Sequence, residues 1–107
     1  MFCVLYELKV KSGQEEPFRA AWRTVTENMV QDYGSLGARL HSTEEGVWIA
    51  YAQWPDKESW QNGHIIIEEE SKQMHVEKYL DEIPRVILKM TVVDDLLAAL
   101  PDSFGLL

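Results

Sequence analysis

The strands predicted from this sequence carry large apolar side chains on both of their faces. In the first segment, Phe2 to Lys11, one face includes Cys3 and Leu5, and the other consists of Phe2, Val4, Tyr6, Leu8 and Val10. This alternation among aromatic and β-branched residues is typical of a β-strand. A sheet built from strands that are apolar on both faces has to be covered on both faces, so we expect two covering layers.

A hairpin with the same two-sided character is predicted in the middle of the chain. Leu36 to Ser42 and Val47 to Trp54 flank the polar turn Thr43-Glu44-Glu45-Gly46. If Thr43 pairs with Gly46, each face carries two cross-strand pairs: Leu40 with Ile49 and Ala38 with Tyr51 on one, and Arg39 with Ala50 and His41 with Trp48 on the other.

Helices are predicted on either side of this hairpin. Gln14-Glu15-Glu16-Pro17 places acidic residues and a proline at a helix start, and apolar residues follow at helical spacing: Phe18, Ala21, Trp22, Val25 and Met29. After the hairpin, Asp56 can cap a short helix that carries Trp60 and that we expect Asn62-Gly63 to interrupt. A longer helix is predicted over about 65–80.

Pro84 opens the last predicted strand, and the element order is therefore strand, helix, strand, strand, helices, strand. This order predicts an α+β, ferredoxin-like split βαββαβ fold, with a four-stranded antiparallel sheet and helices on one face. We expect a single domain over 1–107, with a core of about 2–93 and a tail of 94–107 that begins with an apolar turn at 96–100. The uncovered face is expected to pack against a second copy in a two-fold homodimer.

Charge and composition exclude several classes of partner. The 107 residues include 10 Lys and Arg against 18 Asp and Glu, a formal charge of −8. We therefore expect neither nucleic-acid binding nor attachment to an anionic membrane, and no apolar run could span a bilayer. Cys3 is the only cysteine, and the first residues lack the features of a signal peptide, so we expect a cytoplasmic protein.

Three parts of the sequence resemble the antibiotic biosynthesis monooxygenase (ABM) family of dimeric α/β barrels. They are the first strand with Lys11-Ser12-Gly13-Gln14-Glu15-Glu16-Pro17-Phe18, the stretch Leu36-Gly37-Ala38-Arg39-Leu40-His41, and Ile49-Ala50-Tyr51-Ala52-Gln53-Trp54-Pro55 followed by Trp60. The resemblance covers roughly residues 2–93. It is specific for the fold, because the order and spacing of the elements agree throughout. It says less about the chemistry, because the matching residues are mostly packing and turn positions.

The resemblance implies a monooxygenase that acts on a small aromatic, anthrone or quinol-type substrate without a metal or flavin cofactor. The alternative is a non-catalytic, small-molecule-binding or stress-associated dimeric barrel protein. Haem degradation, known in other members, is disfavoured. The Asn, Trp and His that carry function in the haem-degrading members are absent here, because the corresponding positions hold Tyr6, Gly63 and Gln73.

Oxygenation without a cofactor needs a base, aromatic walls, a dry pocket and hydrogen-bond donors. We predict His64 and Tyr51 as catalytic residues, His64 because an imidazole titrates near neutrality. The predicted substrate contacts, in a pocket between helices and sheet, are Tyr6, Trp22, Arg39, His41, Trp60 and Asn62.

Each candidate also has an ordinary structural interpretation. Trp22 lies on the core stripe of its helix, and His41 could line either the pocket or the dimer interface. The run Glu68-Glu69-Glu70 is typical of a solvated helix face, and His64 with Glu68 lacks the third ligand that a metal site needs. Two more aromatic residues are expected in the strands, in the core or at the dimer seam: Trp48 and Trp54.

Overall fold

The computed structural model describes residues 1–98 and confirms the ferredoxin-like α+β fold. The elements are β1 (Phe2–Leu8), α1 (Glu15–Asp32), β2 (Gly37–Ser42), β3 (Trp48–Trp54), α2 (Lys57–Gln73) and β4 (Arg85–Thr91), with a 3₁₀ helix (Val76–Tyr79) before β4. The strands form one antiparallel sheet in the order β2-β3-β1-β4. The two βαβ units, β1-α1-β2 and β3-α2-β4, thus interleave in the sheet, and β1 and β3 are the central strands.

Both long helices pack on one face of this sheet, which we call the inner face. Two apolar clusters join the helices to alternate strand residues. One contains Phe2, Val4, Met29, Ala52, Trp54 and Trp60, and the other contains Leu8, Phe18, Ala21, Ala50, Val76 and Leu80. Period-two alternation therefore brings every second residue of the strands into the core, as the sequence predicts for β1. Within the described residues, no helix is long and apolar enough to cross a membrane.

The register of the β2–β3 hairpin differs from the predicted one by a single residue. Arg39 lies opposite Tyr51 and His41 lies opposite Ile49. Because side chains alternate along a strand, such a shift moves one strand's partners to the other face. Arg39, His41 and Tyr51 thus share the outer face of the sheet.

The turn explains this difference in register. The Thr43 hydroxyl donates to the Val47 carbonyl oxygen at 2.6 Å, and the Gly46 N–H donates to the Thr43 carbonyl oxygen at 3.1 Å. Gly46 has a φ of 86°, a conformation that favours glycine. Val47 is thereby held inside the turn, so Ser42 pairs with Trp48. As a result, Trp48 and Trp54 face the helices and do not lie at the outer face.

After β3, the helix α2 runs without interruption across Asn62-Gly63, where the sequence predicts a break. Gly63 packs directly on the indole of Trp54: a Cβ built there would overlap Cη2 and come within 2.7 Å of Cζ3. This glycine therefore allows α2 to approach β3 closely. The helix ends at Gln73 and not near residue 80, since His75 adopts a left-handed conformation with a φ of 55°.

The predicted cap of α2 is confirmed. The carboxylate of Asp56 accepts a hydrogen bond from the Ser59 N–H at 2.7 Å. This bond stabilises the charged form and lowers the pKa of Asp56. The predicted first strand is shorter than expected, since Val10 pairs only through an isolated bridge to Leu80.

The outer face of the sheet carries apolar side chains that neither long helix covers. Leu5 pairs with Leu88, which is 53% exposed, and Cys3 pairs with Met90. The beginning of the tail is irregular in structure, and Leu96 is 94% exposed. The end of the apolar turn predicted at 96–100, and the tail beyond it, lie outside the described residues.

Replacing Gly63 by alanine is expected to destabilise the fold by about 1–3 kcal/mol, because the added methyl group overpacks against Trp54. At an ordinary helix position the same change stabilises by about 1 kcal/mol. Urea unfolding measures the difference. Asn62→Ala, at an exposed neighbouring position, is the matched control and should be neutral or slightly stabilising. A stabilised Gly63→Ala protein would contradict the close contact.

Candidate functional site

A cavity of about 850 Å³ lies between the inner face of the sheet and the two helices. Its walls are mainly apolar and include the rings of Phe18, Trp22 and Trp54, together with Val25 and Met29. Polar and charged groups are added by Tyr6, Thr26, Ser35, His64, Glu68, Ser71, Lys72, Glu77, Asp81 and Glu82. A concave apolar space of this size with a few polar groups is typical of a small-molecule site.

A chain of hydrogen bonds links β1 to α2 at the wall of this cavity. Tyr6 lies on the inner face of β1, and α2 places Trp60 and His64 one turn apart. The Nε1–H of Trp60 donates to the Tyr6 hydroxyl oxygen at 2.8 Å. Nδ1 of His64 lies 3.3 Å from the same oxygen, and Nε2 lies 3.1 Å from Oε1 of Glu68. We call these four residues the Tyr6 relay.

The direction of these bonds fixes the proton positions in the neutral state. An indole N–H can only donate, so the Tyr6 oxygen is an acceptor for Trp60 and its own proton is free to go to Nδ1 of His64. Glu68 can only accept when ionised, so Nε2 of His64 carries the ring proton. Nδ1 is consequently the basic nitrogen, and it faces Tyr6.

Burial raises the pKa of the Tyr6 phenol above its usual value of 10.0. The hydrogen bond from Trp60 opposes this effect, and the negative charge of Glu68 adds to it. Tyr6 therefore keeps its proton at neutral pH and can pass it on only when it gains another. The nearby rings restrain the imidazole, since the centroid of Trp60 lies 5.1 Å and that of Tyr6 lies 6.0 Å from the centroid of His64.

The structure brings four of the eight predicted site residues to this region. Tyr6, Trp22 and His64 line the cavity, and Trp60 lies behind Tyr6 with only 5% of its surface exposed. Asn62 lies on the exposed side of α2 and does not line the cavity.

The other three predicted residues lie on the outer face of the sheet, away from the cavity. The Tyr51 hydroxyl lies 3.0 Å from Sγ of Cys3, and this hydrogen bond is the main cause of a raised pKa for Tyr51. His41 contacts the carbonyl oxygen of Ile49 through Nδ1, and Arg39 is exposed. Their predicted catalytic and binding roles remain predictions, and none of the three takes part in the Tyr6 relay.

The sequence pattern predicts other roles for two residues of the site. Glu68 belongs to a run of acids that is typical of a solvated face, but its position four residues after His64 is the spacing that brings helical side chains together. Trp54 lines the cavity, and its buried Nε1 has no hydrogen-bond partner within residues 1–98. In the same range, no three His, Cys, Asp or Glu side chains lie close enough together to hold a metal ion.

The same fold occurs in solved structures of low sequence identity. A Nitrosomonas europaea protein assigned to the antibiotic biosynthesis monooxygenases has a TM-score of 0.71 at 12% identity, over 88% of this chain and 100% of that chain. Rv0793 from Mycobacterium tuberculosis has a TM-score of 0.70 at 11% identity, over 90% and 98%. SnoaB from Streptomyces nogalater, described as a cofactor-independent oxygenase, has a TM-score of 0.69 at 11% identity, over 89% and 95%.

The sequence assigns the chain to a family more firmly than the likeness to solved structures does. No curated protein matches it. The sequence profile of the family described as "Antibiotic biosynthesis monooxygenase" matches residues 1–63, more than half of the chain, from β1 to the glycine that packs on Trp54. His64 and Glu68 follow directly after the matched region. With the resemblance noted above and the ferredoxin-like fold, this match shows that the chain belongs to the antibiotic biosynthesis monooxygenase family.

Proposed function

We propose that the protein is a cofactor-independent monooxygenase that oxidises a small aromatic, anthrone or quinol-type substrate in the cavity between sheet and helices. The observation that carries this proposal is the Tyr6 relay, which places an oriented base at an apolar wall. Membership of the family supports the reaction class, as does the likeness in fold to SnoaB, a cofactor-independent oxygenase.

The reaction begins when the substrate loses a proton. An anthrone or quinol becomes an electron-rich anion, which can reduce O₂ directly. For an anthrone, the reactive CH₂ carbon then forms a bond to oxygen and gives a hydroperoxide. Loss of water from this hydroperoxide leaves a carbonyl group, so that one oxygen atom enters the product, the other leaves in water, and O₂ is the only oxidant.

The Tyr6 relay supplies the base for this first step. As Tyr6 takes the substrate proton, it passes its own proton to Nδ1 of His64 at a separation of 3.3 Å. The imidazolium that results faces the carboxylate of Glu68 at 3.1 Å, which stabilises the new charge. His64 is therefore the final proton acceptor, and Tyr6 is the group that meets the substrate.

The remaining cavity wall favours an aromatic ligand. Phe18 and Trp22 offer ring surfaces, and the aliphatic lining keeps water from the reacting anion. Trp54 adds indole surface to the same wall, while its Nε1 is buried beneath the cavity surface and does not face the ligand.

We also propose that two copies of the chain associate through the outer faces of their sheets. Leu5, Leu88 and Met90 make this face apolar where β1 meets β4, and Ile49 and Tyr51 continue it on β3. Both long helices belong to the other side, so a second sheet is the covering layer that the apolar strands require.

His64→Gln and Tyr6→Phe are each expected to lower kcat by about 10²–10⁴-fold, because either change interrupts the proton path. The measurement is oxygen uptake with a panel of anthrones and hydroquinones, after subtraction of the rate without protein. His75→Asn is the control and should keep full activity, since His75 is 70% exposed in its side chain and does not line the cavity.

Two results would count against this mechanism. If both variants consume oxygen at the normal rate, the Tyr6 relay is not the base. If the protein turns over none of the panel but shows saturable quenching of its tryptophan fluorescence, the non-catalytic binding protein is the better assignment.

The raised pKa of Tyr6 predicts how stability changes in alkali. Above the unfolded value of 10.0 the unfolded chain releases this proton while the native protein still holds it, so the free energy of unfolding falls as the pH rises. Tyr6→Phe should make this fall shallower between about pH 9 and about pH 11. Urea unfolding measures the slope, and Tyr33→Phe, at a position 44% exposed, is the control that should leave it unchanged. Equal slopes in all three proteins would show that the phenol is not shielded from water.

Sedimentation is expected to give about twice the 12.4 kDa mass of the chain at micromolar concentration. Leu88→Lys places a charge in the proposed interface and should yield the monomer. Val30→Lys changes a similarly exposed apolar residue on α1 and should leave the dimer intact. A monomeric wild-type protein would refute the dimer.

A further inference from the structure

We propose that the protein has a second ligand site, which binds a small oxyanion carried on an aromatic ring. The site is a cleft of about 490 Å³ between α1 and the β2–β3 hairpin. We call it the arginine cleft, after three of its residues. The full lining consists of Arg19, Trp22, Arg23, Ala38, Arg39, Leu40, Ser42 and Trp48.

The arginines of this protein are unevenly distributed. The chain has a formal charge of −8 and contains only four arginines, of which three line this one cleft. No carboxylate is among the lining residues. Arg19 pairs with Glu16 at 3.0 Å outside the cleft lining, whereas Arg23 and Arg39 form no salt bridge within residues 1–98. Three of the four arginines are thus concentrated in one place on an acidic protein.

Two of these arginines also repel each other when the cleft holds no anion. Arg19 and Arg23 lie four residues apart on α1, the spacing at which like charges repel on a helix. Arg39 lies on the edge strand β2 and is the third arginine in the lining of the same cleft. A bound anion would remove this repulsion. The planar fork of arginine matches the oxygens of a carboxylate or phosphate group in two parallel hydrogen bonds.

Aromatic side chains of the cleft offer surfaces for the ring that carries the anion. The indoles of Trp22 and Trp48 lie among the arginines and provide flat apolar surfaces. The edge-to-face contact of Trp48 with Phe18, at 6.1 Å and 89°, fixes the orientation of one of them. The Ser42 hydroxyl adds a neutral donor. Rings and guanidinium groups together select an aryl carboxylate or aryl phosphate over a free inorganic ion.

The test is a calorimetric titration of the full chain with 1-naphthyl phosphate, 1-naphthol and inorganic phosphate. We expect the naphthyl phosphate to bind at least about tenfold more tightly than inorganic phosphate, and its affinity to fall as salt is added. Arg23→Gln and Arg39→Gln should each weaken it by about tenfold or more, the loss of one charge-assisted hydrogen bond. The naphthol reports any binding of the ring alone, including binding in the larger cavity.

The matched control is Arg85→Gln, which removes the same charge from the arginine that lies outside the cleft, near Glu7. It should bind 1-naphthyl phosphate like the wild type. Thermal unfolding shows that the cleft variants are folded, and Arg23→Gln should melt at the wild-type temperature or above it, since the repulsion is relieved.

Three outcomes would overturn the proposal. They are the absence of saturable binding at millimolar naphthyl phosphate, equal affinity in Arg39→Gln and Arg85→Gln proteins, and tighter binding of a short oligonucleotide, which would indicate a nucleic-acid surface. None of these readouts depends on oxygen uptake. Failure of the arginine cleft would therefore leave the proposed oxygenase function standing, and the reverse also holds.

Discussion

The contact between Gly63 and the Trp54 indole is the constraint on which the arrangement of the site depends. Because residue 63 has no side chain, α2 can lie directly on β3 at this point. Trp60 precedes the contact by one turn and His64 follows it at once, so both reach the central strand β1 from a helix that is already fixed in place. Any larger residue at position 63 would move the whole relay outward.

Tyr6 then connects the two layers. Its hydroxyl group accepts from one α2 residue and donates to another, and the donor–acceptor distances of 2.8 and 3.3 Å leave no polar atom of this tyrosine unused. A buried phenol without partners would be unfavourable. The same bonds that stabilise the layer contact also determine which nitrogen of His64 is basic, so structural and chemical roles coincide in one side chain.

Local patterns in the sequence predicted the element order, the sheet and the helical core stripe, because these depend on periodicity alone. They failed where one contact overrode a local preference. Asn62-Gly63 is a typical helix break, but packing on Trp54 keeps the helix intact. The turn at Val47 shifted the hairpin register and moved Tyr51 and Arg39 to the outer face. Glu68 lies four residues after His64, a helical spacing visible in the sequence, but the solvated-face interpretation of the acidic run did not assign it to the site.

Trp22 forms part of the walls of both the large cavity and the arginine cleft, and Ala38 does the same. The two ligand spaces are therefore separated in part by a single indole ring. If each space takes the ligand proposed for it, a ligand that reorients this ring from one side changes the shape available on the other. Thermodynamic linkage then requires that each ligand alter the affinity of the other by the same factor. Helix α1, which carries Trp22, would couple the two sites.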